Sequence, residues 1–227
     1  MGGEIQIQKF FYFHFRNPNI RKLFKAWNDI LRWYEKDKED IPYWYLERTN
    51  IGHLALAAYQ LKGYPLQEFS MKKVKGTQKS TGRADLFMYF PKGTLSDAQW
   101  YDFNIEAKQI WCSISIGNDQ KEMIGKALKK ADVDLKKHRD KTSQAKYGMA
   151  ILFVLPYMKM LDEKKDMKKQ LLSKFNKQIK QTAEEMEASF AAVHYADIEV
   201  STELSQKYTK PDWYPGIAVI GKITNKK

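Results

Sequence analysis

The chain is nearly without cysteine. Cys112 is the only one in 227 residues, which excludes an internal disulfide and a Cys-rich zinc site and makes a reducing cytoplasm the expected setting. Long apolar runs are also missing. No stretch reaches the ~18–20 residues that span a bilayer, so no membrane partner is expected. The opening MGGEIQIQKFFYFHF has no basic region followed by a clean apolar stretch, so no signal peptide is expected. Gly2 raises myristoylation, but Gln6 stands where that motif wants Ser or Thr. Internal repeats, Gly/Ser linkers and low-complexity segments are absent, and the simplest organisation is one domain over residues 1–227.

Familiar catalytic signatures are missing too. His14, His53, His138 and His194 are scattered, with no HExxH pattern, and read as structural or surface residues. Ser113 and Ser115 have no nucleophile-elbow setting. GTQKSTG holds a Lys-Ser pair but lacks the glycine spacing of a Walker loop, which argues against an NTPase.

Apolar residues and basic charge are plentiful. The hydrophobic fraction is 43% and the aromatic fraction 14%, the composition of a globular chain with a proper core. Lys and Arg number 39 against 27 acidic residues, a net of +12. Such a surplus suits a polyanionic partner; the plainer reading is a surface kept soluble by charge. Six of the 39 are Arg. Arg is the bidentate reader of guanine and Lys acts as a point charge for phosphate, so backbone binding is favoured over base reading, although a Lys-rich source composition would give the same count.

Periodicity organises the rest. Residues 17–38 predict a helix with Asn17 as cap, Pro18 in the first turn and a stripe of Ile20, Leu23, Phe24, Trp27, Ile30, Leu31 and Tyr34. A second helix is expected over about 42–62, with Leu46, Ile51, Leu54, Ala58 and Leu61 inward and Gly63 as stop. Strands are expected at 66–75, 83–90 and 100–111, with GTQKSTG as a turn-rich loop between the first two. A basic helix at 118–139 follows, with Met123, Ile124, Ala127, Leu128, Ala131 and Leu135 inward. YGMAILFVLPY at 147–157 has the continuous apolarity of a central strand. A long helix at about 162–189 and strands at 191–199 and 216–223 complete the pattern. The order implies an α/β fold, a central mixed β-sheet flanked by helices.

One stretch sits oddly in this pattern. NIEAKQ, residues 104–109, lies inside an aromatic strand, and alternation puts Asn104, Glu106 and Lys108 on one face. Ile105 and Ala107 would then pack into the core while Glu106 and Lys108 face a cleft. Asp85 lies on the adjacent strand of the expected hairpin, so its carboxylate and that of Glu106 can converge. Two close carboxylates repel, and a divalent cation relieves this; oxygen ligands suit Mg²⁺ or Mn²⁺. A metal-held water can attack a phosphodiester, and Lys108 can orient that water or neutralise charge developing on phosphate. The plainer alternative is a same-face Glu106–Lys108 ion pair on a solvated strand, with Asp85 a polar residue near a turn. The apolar setting weighs against it, because unpaired charges there cost several kcal/mol.

GRADLFMYF, a gap from Pro91 to Phe103, then NIEAKQ resembles the PD-(D/E)XK nuclease superfamily, the restriction-endonuclease-like fold. The resemblance implies an αβββαβ core over about 42–155, with an N-terminal helical addition (1–41) and a C-terminal helix/strand addition (156–227). It implies that Asp85, Glu106 and Lys108 are catalytic, that the Ala107 carbonyl is a further metal ligand, and that Glu47 on the preceding helix joins the site. Gln109 after the Lys is similar to members carrying an E-x-K-Q string. Ala84 stands where the nominal motif has Pro. Lys79, Ser80 and Arg83 are candidate phosphate contacts, as are Lys126 and Lys130 on the basic helix, if the fold holds; each is otherwise a solvated residue. The expectation is a Mg²⁺- or Mn²⁺-dependent nuclease acting on nucleic acid, double-stranded DNA foremost, in the cytoplasm, with a homodimer left open. The rivals are a catalytically inactive nucleic-acid-binding or interaction module on the same scaffold, and an assembly protein whose charge is incidental.

Overall fold

The computed structural model describes residues 9–12, 18–75, 78–91, 101–115, 119–138, 145–159, 164–209 and 212–225. In chain order the elements are β1 (Lys9–Tyr12), α1 (Pro18–Asp37), α2 (Glu47–Gln60), β2 (Tyr64–Lys75), β3 (Gln78–Phe90) and β4 (Tyr101–Ser113). They continue as α3 (Lys121–His138), β5 (Tyr147–Lys159), α4 (Lys165–Glu185), β6 (Phe190–Tyr195), α5 (Ile198–Tyr208), β7 (Asp212–Trp213) and β8 (Gly216–Asn225). Among the described residues, seven strands form one sheet in the order β1-β6-β8-β5-β4-β3-β2, and β7 pairs with the end of β5.

The sheet is mixed. β4 and β5 run parallel, Glu106 opposite Ala150 and Lys108 opposite Leu152, with α3 as the crossover between them. β2, β3 and β4 form the expected antiparallel meander. β5 is buried from Tyr147 through Pro156, because helices cover both faces of the sheet there. On one face α1 and α2 pack their apolar stripes (Leu23, Phe24, Trp27, Leu54, Ala58) against Ile105, Ala107, Met149 and Ile151. On the other, Ile124 and Leu128 of α3 and Leu171, Phe175 and Ile179 of α4 cover Cys112, Leu152 and Val154.

Several expectations shift. The second helix starts at Glu47 and not near residue 42, so Leu46 is 75% exposed and not inward; its backbone is extended there. Met123 of α3 likewise faces solvent. GTQKSTG is largely strand: β3 begins at Gln78, and Lys79 and Ser80 pair with Val74 and Lys73. Ladder hydrogen bonds to β2 outweigh the local turn signal of the glycines. α5 replaces the tail of the expected 191–199 strand. Asp197 caps it, accepting from Glu199 N at 2.8 Å, and Trp213 Nε1 donates to Ser201 Oγ at 3.0 Å. The β-branched Ile198, Val200 and Thr202 disguise this helix in the sequence. β1 and β7 were also unanticipated, and Asn17 lies outside the described residues. No described helix is long and apolar enough to cross a membrane.

Candidate active site

The site forms where β3 and β4 part. Their ladder runs from Phe90 opposite Tyr101 to Leu86 opposite Ile105 and stops. Beyond it, Asp85 substitutes its side chain for a strand carbonyl: Oδ2 accepts from Ala107 N at 2.8 Å. A carboxylate that receives a backbone N–H at a strand fork is anchored without a helix cap or turn. Opposite it on β2, Glu68 has φ of 48°, a left-handed conformation uncommon for a residue with a Cβ. Its carboxylate joins Arg48 Nε at 2.8 Å and Arg83 at 3.1 Å. Asp85 thus sits at a break in regular pairing on both sides.

Glu106 and Lys108 follow on β4. Lys108 Nζ donates to Glu106 Oε1 at 3.0 Å and to the Ala107 carbonyl at 2.9 Å. A second anion, Asp134 of α3, stands 3.7 Å from the ammonium and 2.7 Å from Lys137. The expected cleft is narrower than alternation implied, because α3 lies over this face. The Glu106 side chain is 7% accessible and that of Lys108 23%. Burial works to lower the Lys108 pKa, but Glu106, Glu47 and Asp85 together outweigh it and hold the ammonium above its ordinary value. Lys108 is therefore charged at neutral pH and serves as a counter-cation, not as a base.

Glu47 arrives from the opposite layer as the first residue of α2. Burial raises its pKa; the Lys108 charge and the Gln109 backbone N–H oppose this, and the Asp85 and Glu106 charges add to it. Mutual influence among Glu47, Asp85, Glu106 and Lys108 means the four groups share one electrostatic neighbourhood. Among the described residues, no three His, Cys, Asp or Glu side chains are grouped closely enough to hold a metal ion as they stand. The donor set itself is all oxygen, the class Mg²⁺ and Mn²⁺ take.

The remaining candidates divide. Gln109 is used internally: Nε2 donates to the Tyr45 carbonyl at 2.9 Å, and Oε1 accepts from Asn50 Nδ2 at 2.8 Å. It ties the start of α2, and so Glu47, to the motif strand. Arg83 is exposed but paired with Glu68. Lys126 and Lys130 lie on the outer face of α3, Lys126 paired with Glu122. The side chains of Lys79 and Ser80 lie outside the described residues. Three contributors escape the sequence reading, namely Glu68, Asn50 and Asp134. A weak signal existed only for Asp134, in its i,i+3 spacing to Lys137.

Two histidines prove structural. His194 is buried between Asn28 Oδ1 at 2.6 Å and Glu35 Oε1 at 2.8 Å, and His53 lies beneath Tyr34. Cys112 is buried, its thiol pushed up to about 12 by desolvation, and is chemically quiet. No protein-family model, no curated protein and no solved structure matches this chain.

Proposed function

We propose that the chain is a metal-dependent nuclease that hydrolyses phosphodiester bonds, in DNA foremost. The observation that supports this reading is the fork of β3 and β4, where Asp85 is held on Ala107 N while Lys108 bridges Glu106 and the Ala107 carbonyl. An ordinary surface ion pair needs neither the fork nor the burial. Glu47, Asp85, Glu106 and the Ala107 carbonyl would hold Mg²⁺ or Mn²⁺. When bound, the ion supplies an activated water and neutralises phosphate charge. Lys108 keeps its proton at neutral pH and offers a fixed positive charge to the phosphate oxygens in the transition state. Glu47, its pKa raised chiefly by burial, would be kept charged by a bound cation, which offsets the cost of desolvating its carboxylate. Gln109 and Asn50 position Glu47 through the start of α2.

The test is plasmid cleavage with Mg²⁺ or Mn²⁺ by the wild type, Asp85→Ala and Lys108→Ala. Cleavage by the wild type alone is expected; equal cleavage by all three sinks the reading. One observation favours a binding module that does not cut: Lys108 already engages two of the oxygens the metal would need. Calorimetry separates the two. Salt-sensitive DNA binding without any Mn²⁺ binding favours the module.

A further inference from the structure

Beside the fork lies a cavity of about 450 Å³ lined by Trp44, Tyr45, Leu46, Thr49, Trp111 and Tyr214, within the usual range for small-ligand sites. Not one of these six residues carries a charge. Tyr214 is its buried floor, while Tyr45, Leu46 and Trp111 are 41%, 75% and 40% exposed. The floor ring of Tyr214 is stacked on Tyr157, at 29° and 6.1 Å, while Trp111 meets it edge-on, at 77° and 5.4 Å, and Trp44 stands at 57° to both Tyr45 and Tyr214. The half-exposed rings of Tyr45 and Trp111 are thus left for a flat occupant.

The cavity neighbours the fork through α2, on the sheet face that α1 and α2 cover. Leu46 immediately precedes Glu47, and Trp111 lies on β4 three residues beyond Lys108, on the face opposite the Lys108 side chain, against Tyr214. Gln109 bonds the Tyr45 carbonyl and so ties the cavity wall to the motif strand. From this we infer that the cavity stacks an unpaired base of a single-stranded nucleic acid whose backbone crosses the fork. The inference rests on the nuclease reading for the position of the backbone and deepens it by placing an unpaired base, from a single strand or from a locally opened stretch of a supercoiled plasmid, beside the site.

Chemistry favours this occupant. An uncharged aromatic slot suits a nucleobase, and a chain of net charge +12 attracts the phosphates on either side of it. Stacking on aromatics is how proteins hold single strands regardless of sequence. A paired base has both faces covered within the helix and offers none to Trp111 or Tyr45. An apolar peptide side chain would also fill the space, but it gains nothing from the charge of the whole chain.

The experiment measures binding of a labelled oligothymidine and of a blunt duplex of equal length, with chelator present so that no cleavage occurs. The wild type is expected to prefer the single strand and to lose tryptophan fluorescence on binding it. Trp111→Leu is expected to weaken single-strand binding about 5- to 100-fold and to leave duplex binding unchanged. Tyr45→Ala, on an exposed side chain, serves as the second variant and is expected to act in the same direction. Unchanged single-strand affinity in both variants, equal losses on the duplex, or no binding of either nucleic acid overturns the inference. The two ideas fail separately. Single-strand binding that needs Trp111, together with cleavage indifferent to Asp85 and Lys108, removes the nuclease and keeps the base site. Cleavage that needs Asp85 and Lys108, with single-strand binding indifferent to Trp111 and Tyr45, removes the base site alone.

Discussion

Lys108→Met tests whether the motif strand carries a buried ion pair or a decorative one. Met keeps much of the apolar stem and deletes the ammonium. In the wild type that ammonium lies 3.0 Å from Glu106 Oε1, 2.9 Å from the Ala107 carbonyl and 3.7 Å from Asp134. Exposed pairs are worth about 0.2–1 kcal/mol. Removing one member of a buried pair costs about 3–5 kcal/mol, because the other charge is stranded. Glu106, at 7% side-chain accessibility, is the stranded charge, and the 23% accessibility of Lys108 puts the expected loss near the lower end, at about 3 kcal/mol. For a domain of this length each kcal/mol moves Tm by about 2–4 °C, so Lys108→Met should melt about 6–12 °C below the wild type. Urea unfolding at neutral pH gives the same quantity independently. The double variant Glu106→Gln/Lys108→Met removes both charges and should recover most of the loss, the signature of coupling. A single-variant loss under about 1 kcal/mol, or a double variant no more stable than the single, refutes the reasoning.

Acid should destabilise the chain through His53. Burial, opposed by Asp40, pushes its pKa down from 6.5 to about 4. Between those values the unfolded chain binds a proton that the folded one refuses, so stability present above pH 6.5 is lost as pH falls, by up to about 3 kcal/mol. His53→Met should flatten the urea-midpoint profile across that window, and parallel profiles for the two proteins would contradict the assignment. Gly221→Ala should be destabilising by about 1–3 kcal/mol or more. A Cβ there would come within 2.1 Å of the Phe190 ring, which is fully buried on the adjacent strand. Adding Phe190→Leu should return part of that in thermal melts, and no recovery would show that the clash is not with this ring.

Two kinds of information separate cleanly along this chain. Long amphipathic runs declared themselves. The stripe from Ile20 to Tyr34, the continuous apolarity of 147–157 and the 3.6-residue rhythm of α3 and α4 each need only a local period and a layer to pack against, and the sheet supplies that layer. That Asp85 lies on the strand next to the motif strand was equally legible, because a meander of three strands brings consecutive neighbours together. Tertiary structure decided the rest. Where α2 begins depends on Gln109 and Asn50, 59 positions apart. That Glu106 is covered depends on α3 returning over its face, and alternation alone says only which side a residue takes, not what lies there. The end of the β3–β4 ladder at Leu86 and the left-handed turn of Glu68 have no period to announce them. Both fall at Asp85, and it is there that the charged groups gather.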